Sequence, residues 1–152
     1  MKEFKVLMVD DEEDFVKTLS ERVSMRDLES DVAFDGETAL DMLKGKDIPD
    51  VMVLDLKMPG IDGMEVLRRV RKAYPQVQVI ILTGHGTEKD EEEAKRLGAF
   101  AYLQKPVDLE KLVQTMKAAY KKKIEDAMVA ATFAEEGDFN TARSIMDKDK
   151  KK

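Results

Sequence analysis

This sequence predicts a doubly wound α/β fold, with five parallel strands in the order 2-1-3-4-5 and helices on both faces. Three observations lead there. Five short apolar runs alternate with segments whose apolar residues recur every three or four positions. The runs are nearly continuous in Val, Ile, Leu and Met, as in strands covered on both faces, instead of alternating with polar residues. Each run stops at polar residues: Asp10-Asp11, Asp35, Asp55, Thr83 and Gln104-Lys105. Strict strand–helix alternation of this kind builds a parallel sheet through right-handed crossovers.

The first run, Phe4 to Val9, ends at Asp10-Asp11-Glu12-Glu13, an acidic cluster that also suits a helix start. Phe15, Leu19 and Val23 follow at helical spacing. Val32 to Phe34 is a weak second strand closed by Asp35-Gly36, and Ala39, Leu40 and Leu43 carry the second helix. Pro49-Asp50 punctuates before Val51 to Leu54, which reads as a fully buried strand. Met58-Pro59-Gly60 forms a turn, and Met64, Val66, Leu67 and Val70 form a helix stopped before Pro75. Val77 to Leu82 is the fourth strand, and Gly84-His85-Gly86 leads into an acidic helix from Glu88 to Leu97. Phe100 to Leu103 is the fifth, after which Asp108 caps a helix beginning at Leu109.

That last helix keeps its spacing through Leu112, Met116, Tyr120, Ile124, Ala127, Ala131 and Ala134. Glu135-Glu136-Gly137-Asp138 predicts a turn, with Asp138 capping a short helix through Ala142, Ile145 and Met146 before a frayed tail from Asp147. The expected organisation is one domain over residues 1–121 and a helical hairpin extension over 122–152, with no DNA-binding domain. Residues 121–152 carry 8 basic and 7 acidic groups, against 18 and 25 in residues 1–120, so the extension is electrically distinct from the body.

A net charge of −6 disfavours generic binding to nucleic acid or anionic lipid. The absence of cysteine excludes disulfides, thiolate catalysis and Cys-based zinc sites. The longest apolar runs, such as Val79-Ile80-Ile81-Leu82, are too short to span a bilayer, and the N-terminus turns acidic too early for a signal peptide. A soluble cytoplasmic protein is expected.

Ligands of open α/β sheets bind outside the carboxyl ends of the strands. Four of the five strand ends, all except Asp35, are placed to converge there. Crowding Asp10, Asp11 and Asp55 would raise their electrostatic energy, and Mg²⁺ relieves that cost because hard oxygen ligands suit it. Asp55 stands alone after the most buried strand, placed for its carboxylate to attack phosphorus. Thr83 can donate to one phosphoryl oxygen, and Lys105 can pair with another as a point charge. No G-x-x-x-x-G-K-[ST] occurs and no G-x-G-x-x-G follows the first strand, which argues against a nucleotide triphosphatase or a dehydrogenase.

Val9-Asp10-Asp11-Glu12, Leu54 through Gly63, Leu82-Thr83-Gly84 and Leu103-Gln104-Lys105-Pro106 together resemble a response-regulator receiver domain of two-component signalling, over residues 3 to about 121. The resemblance implies a flavodoxin-like fold of stand-alone type. It implies that Asp55 accepts a phosphoryl group from a histidine kinase or phosphotransfer protein, and that Asp10, Asp11 and the backbone carbonyl of Lys57 hold Mg²⁺ with it. Thr83 and Lys105 would read the phosphorylated state, and Lys105-Pro106 would be cis. Tyr102 stands where the family often has an aromatic switch, turning inward as Thr83 vacates space; the competing reading is a half-buried core tyrosine. His85 and the Lys57 side chain sit near enough to influence an attacking water, but read more simply as exposed loop residues.

Three functions follow for comparison. The first is a phospho-acceptor signalling through protein contacts to an unidentified output protein, catalysing only its own phosphorylation and dephosphorylation. The second is a phosphorylation-independent interaction module. The third is an aspartate-based phosphatase, whose second Asp is replaced here by Lys57. For the extension the readings are a helix folded back through Phe133, Phe139, Ile145 and Met146, a homodimer through the protruding helix, or docking to another protein.

Overall fold

The computed structural model describes residues 2–135. Ten elements alternate along the chain: β1 (Lys5–Val9), α1 (Glu13–Ser24), β2 (Glu29–Ala33), α2 (Gly36–Leu43), β3 (Val51–Leu54), α3 (Gly63–Ala73), β4 (Gln78–Thr83), α4 (Glu88–Arg96), β5 (Ala101–Gln104) and α5 (Leu109–Glu135). All strand pairs are parallel and the order is β2-β1-β3-β4-β5, as the alternation predicts.

Successive strand residues serve opposite cores, which is why the central runs contain no polar alternation. Leu7, Val9, Met52, Leu54, Val79 and Ile81 pack with Ala39 of α2, Val66, Leu67 and Val70 of α3, and Ala94 of α4. Val6, Met8, Val51, Val53, Ile80 and Leu82 pack on the other face with Val16 and Val23 of α1 and Leu112, Val113 and Met116 of α5. Each of the valine, leucine, isoleucine and methionine side chains among them, removed from water, contributes about 1.5–3 kcal/mol, so the two cores hold the strand ends in register.

β2 begins earlier than the apolar run suggests, because it is an edge strand paired only with β1. Its Glu29 and Asp31 are exposed and lie 3.7 and 3.5 Å from the Lys5 ammonium. Charges on an exposed edge also discourage pairing with a further strand.

Side chains cap four helices: Asp35 accepts from the Thr38 N–H, Asp62 from Glu65, and Asp108 from Lys111, while Thr87 and Asp90 form a reciprocal capping box. No side chain caps α1, whose start is acidic through Glu13 and Asp14. Ahead of it, Asp10 accepts the Glu12 N–H at 2.9 Å and the Lys105 ammonium.

α5 runs through residue 121 without a break. Tyr120 stacks on Phe4 with ring centroids 4.6 Å apart, and Lys123 pairs with Asp50 at the start of β3. Further along, Ile124, Met128 and Val129 are exposed, Met128 to 65%. The expected turn at Glu135 to Asp138, the short helix through Ile145 and the side-chain packing of Phe133, Phe139, Ile145 and Met146 lie outside what is described. Among the described residues no helix is long and apolar enough to cross a membrane.

Candidate functional site

The carboxyl ends of β1, β3, β4 and β5 bring Asp10, Asp55, Thr83 and Lys105 to one edge of the sheet. Asp10 and Asp55 are buried and Asp11 is exposed, and each can place a carboxylate oxygen within 4.8 Å of the others. Parallel pairing fixes this. Val9 lies opposite Leu54, so the residues that follow, Asp10 and Asp55, leave neighbouring strands side by side. Asp55 donates its N–H to the Val9 carbonyl at 3.0 Å, continuing the ladder one residue past the strand. Asp35 is not in this group; it caps α2.

Lys105 is the cation of the cluster. Its ammonium donates to Asp10 Oδ2 at 2.6 Å and to Glu12 Oε1 at 3.0 Å, and lies 3.7 Å from Asp55 Oδ2. It also sits over the Phe15 ring, 4.4 Å from the centroid. The Lys105–Pro106 peptide is cis. Burial acts to lower the Lys105 pKa, but hydrogen bonds to Asp10 and Glu12 outweigh it and hold the ammonium above its ordinary value. Asp10 is also shifted upward. Burial is the main cause; the Lys105 and Glu12 hydrogen bonds oppose it, and the Asp55 charge adds to it. Burial of the carboxylate thus outweighs the pairing with Lys105, which acting alone would lower it.

Thr83 is fully buried. Its carbonyl accepts the Lys105 N–H at 3.0 Å, and its hydroxyl oxygen accepts the His85 N–H at 3.3 Å. The hydroxyl proton therefore remains available to an acceptor. The His85 side chain is exposed. The Lys57 N–H reaches Asp55 Oδ1 at 3.5 Å, and its ammonium lies 4.0 Å from Asp90 at the start of α4.

Tyr102 is partly buried, and its hydroxyl is shut away from water without a hydrogen-bond partner. The room for it comes from Gly86, where a Cβ would overlap the Tyr102 hydroxyl outright and lie 3.0 Å from Thr83 Cγ2. The sequence expectation ties an inward tyrosine to space vacated by Thr83; here the missing side chain at 86 supplies space. Burial first, then the charges of Asp90 and Glu91, push the Tyr102 pKa above 10. Because the neutral form is favoured in the fold, its contribution to stability is complete below pH 10 and is lost as pH rises through the folded value. Gly86→Ala is expected to drive the ring out and return this ionisation toward 10. Tyrosinate absorbance across an alkaline titration checks it, with Tyr102→Phe identifying the group. An unchanged elevated ionisation in Gly86→Ala would contradict the slot.

Glu12, Phe15 and Gly86 also contribute to the site, and nothing in the sequence alone marks them as site residues. Glu12 reads there as one acid in a helix start, and Phe15 as one core residue of α1. Their contacts with Lys105 cross some ninety positions (93 for Glu12).

A model of the response regulator receiver domain family matches residues 6–117. The chain is 34% identical over 113 residues to sporulation initiation phosphotransferase F of Bacillus subtilis (strain 168), a match covering 74% of this chain and 90% of that protein. It is 35% identical over 134 residues to response regulator MprA of Mycobacterium avium (strain 104), covering 86% of this chain and 58% of that one. The chain thus spans somewhat over half the length of the MprA relatives it matches. A solved response regulator receiver domain protein from Clostridium thermocellum is similar at a TM-score of 0.74 and 34% identity, covering 79% of this chain and 96% of that one. The family match takes in all of the five strands but Lys5 and covers the acidic cluster, and together these place the chain in the response regulator receiver domain family of two-component signalling.

Proposed function

We propose that this receiver accepts a phosphoryl group on Asp55 from a phosphohistidine of a histidine kinase or phosphotransfer protein, and signals through protein contacts. The observation that carries this is the buried Asp55 carboxylate beside two further carboxylates and one ammonium. Such a cluster is costly unless a cation joins it. The donor set is all hard oxygen, which fits Mg²⁺. Asp10, Asp11, Asp55 and the Lys57 backbone carbonyl would hold it, and when bound it would neutralise charge on the transferred group.

In the transfer an Asp55 carboxylate oxygen forms a P–O bond as the P–N bond to the donor imidazole breaks, the ring nitrogen keeping the electron pair. The Thr83 hydroxyl is positioned to donate to one phosphoryl oxygen and Lys105 to pair with another. Tyr102, in the slot beside Gly86, is the proposed reporter of that change toward α4. A groove of about 380 Å³ lined by Asp14, Phe15, Thr18, Leu19, Arg22, Val107 and Leu109 shares Phe15 with the Lys105 contact and is the proposed seat of the donor. Residues 122–152 are proposed as a helical appendage to a receiver domain of residues 1–121, with homodimerisation through the exposed Ile124, Met128 and Val129 as its role. Sedimentation of the full chain tests that role: a concentration-dependent dimer is expected, lost in a triple substitution of these residues by Ser. A full chain that stays monomeric would set it aside.

Acetyl phosphate with Mg²⁺, followed by intact-mass measurement, is expected to add one hydroxylamine-labile phosphoryl group, and a chelator to prevent it. No gain would favour a phosphorylation-independent interaction module instead.

Mg²⁺ alone is expected to stabilise the fold. At one hundred times its Kd, binding contributes about 2.7 kcal/mol, which corresponds to a rise in Tm of roughly 8 °C for a chain of this size. Asp11→Asn, at an exposed position, should keep the metal-free Tm and lose most of the rise. Calorimetric scans with and without Mg²⁺ measure both.

A further inference from the structure

Lys105 has two kinds of partner. Asp10 and Asp55 belong to the carboxylate cluster, whereas Glu12 and Phe15 do not. Both of the latter stand at the start of α1, and the Glu12 N–H is held by Asp10 Oδ1 at 2.9 Å. The backbone at Glu12 is therefore fixed against the cluster while its carboxylate accepts from the Lys105 ammonium at 3.0 Å. Phe15 supplies a ring face beneath the same ammonium, and a partly buried cation–π contact of this kind is a real attraction. A cation entering the cluster must draw on the Asp10 and Asp55 carboxylates, the same groups that now hold Lys105.

We propose that Glu12 and Phe15 are positioning residues forming a separate seat for the Lys105 ammonium, so that a divalent cation can occupy the cluster without displacing Lys105 from reach of Asp55. This rests on the phospho-receiver reading for its purpose, but the seat itself exists without metal. Removing it leaves Lys105 dependent on the oxygens the cation needs. Lys105 and the cation then compete directly.

The test has two arms. In the metal-free full-length protein, the Lys105 side-chain ammonium resonance, assigned with Lys105→Met, reports the seat. Glu12→Gln and Phe15→Leu should each shift it and speed its exchange with water, while Phe15→Tyr, which keeps the ring face, should restore it. In the second arm, Mg²⁺ binding is measured by calorimetry. Glu12→Gln should weaken it roughly five- to tenfold, a size typical of coupling between groups in contact. Phe15→Leu should weaken it in the same direction, although no charge is removed. In the Lys105→Met background both effects should shrink to less than half on a logarithmic scale. Equal loss from Glu12→Gln with and without Lys105 would reduce Glu12 to a nearby charge and overturn the proposal, as would an unmoved Lys105 resonance. Absence of Mg²⁺ binding in the unsubstituted protein would instead count against the phospho-receiver reading, because the metal-free arm still decides the seat.

Discussion

Asp55→Asn is expected to abolish the phosphoryl gain from acetyl phosphate entirely while leaving the fold as stable as the parent or more so. The amide has no anionic oxygen to attack phosphorus, so the loss is one of chemistry and not of degree. Stability behaves differently because Asp55 is 2% exposed and close to two other carboxylates, with one lysine 3.7 Å away. Replacing it removes repulsion from Asp10 and Asp11 and attraction to Lys105, contributions of opposite sign and similar reach. Denaturant unfolding in the absence of Mg²⁺ should therefore agree with the parent to within about 1 kcal/mol or exceed it. The Mg²⁺-induced rise in Tm should fall sharply in the same variant. A variant that folds well and still gains a phosphoryl group would place the acceptor elsewhere.

Gly63→Ala is expected to damage both stability and phosphorylation. Gly63 opens α3, and its N–H donates to the Leu56 carbonyl at 2.9 Å, closing the turn that follows Asp55. A Cβ there would overlap the Asp55 carbonyl oxygen and lie 2.7 Å from Leu56 Cα and 2.9 Å from the Asp55 carbonyl carbon. Every one of these atoms is backbone, so no rotamer change relieves the overlap. Overpacking costs of about 1–3 kcal/mol apply where side chains can yield; here roughly 3 kcal/mol or more is expected, lowering Tm on the order of 10 °C. The phosphorylation rate, measured at a temperature where the variant is folded, should fall further, since a displacement near 1 Å costs about a hundredfold in a positioned reaction. Gly60→Ala is the control. Gly60 has φ 78° and nothing within 4 Å of its missing Cβ. It should cost only the left-handed strain of about 1–2 kcal/mol and leave the rate nearly unchanged.

The contrast between these glycines also shows what a single sequence can and cannot tell. Gly60 lies in the turn after β3 and Gly63 opens α3, and turn chemistry explains Gly60 directly. Gly63 matters because α3 returns against the end of β3, and spacing along the chain carries no trace of that approach. The central strands were legible because Val51 to Leu54 are all buried, which leaves an uninterrupted apolar run. β2 was only half legible, since Glu29, Ser30 and Asp31 occupy an edge where one side faces solvent. Asp10, Asp55 and Lys105 could be anticipated because each follows directly on a strand and parallel register aligns strand ends. Glu12 and Phe15 could not, because their roles arise from a lysine far along the chain that reaches back to α1.

The most direct measurement is reductive trapping of the acceptor. The protein is incubated with Mg²⁺ and acetyl phosphate, treated with borohydride and digested for peptide mass analysis. Hydride reduces an aspartyl phosphate to the alcohol with loss of phosphate, converting that aspartate to homoserine. Homoserine at position 55, and at neither 10 nor 11, is expected, with none in protein incubated without a phosphodonor. Homoserine at Asp10 or Asp11, or no homoserine despite a gain of one phosphoryl group, would contradict Asp55 as the covalent centre of the site.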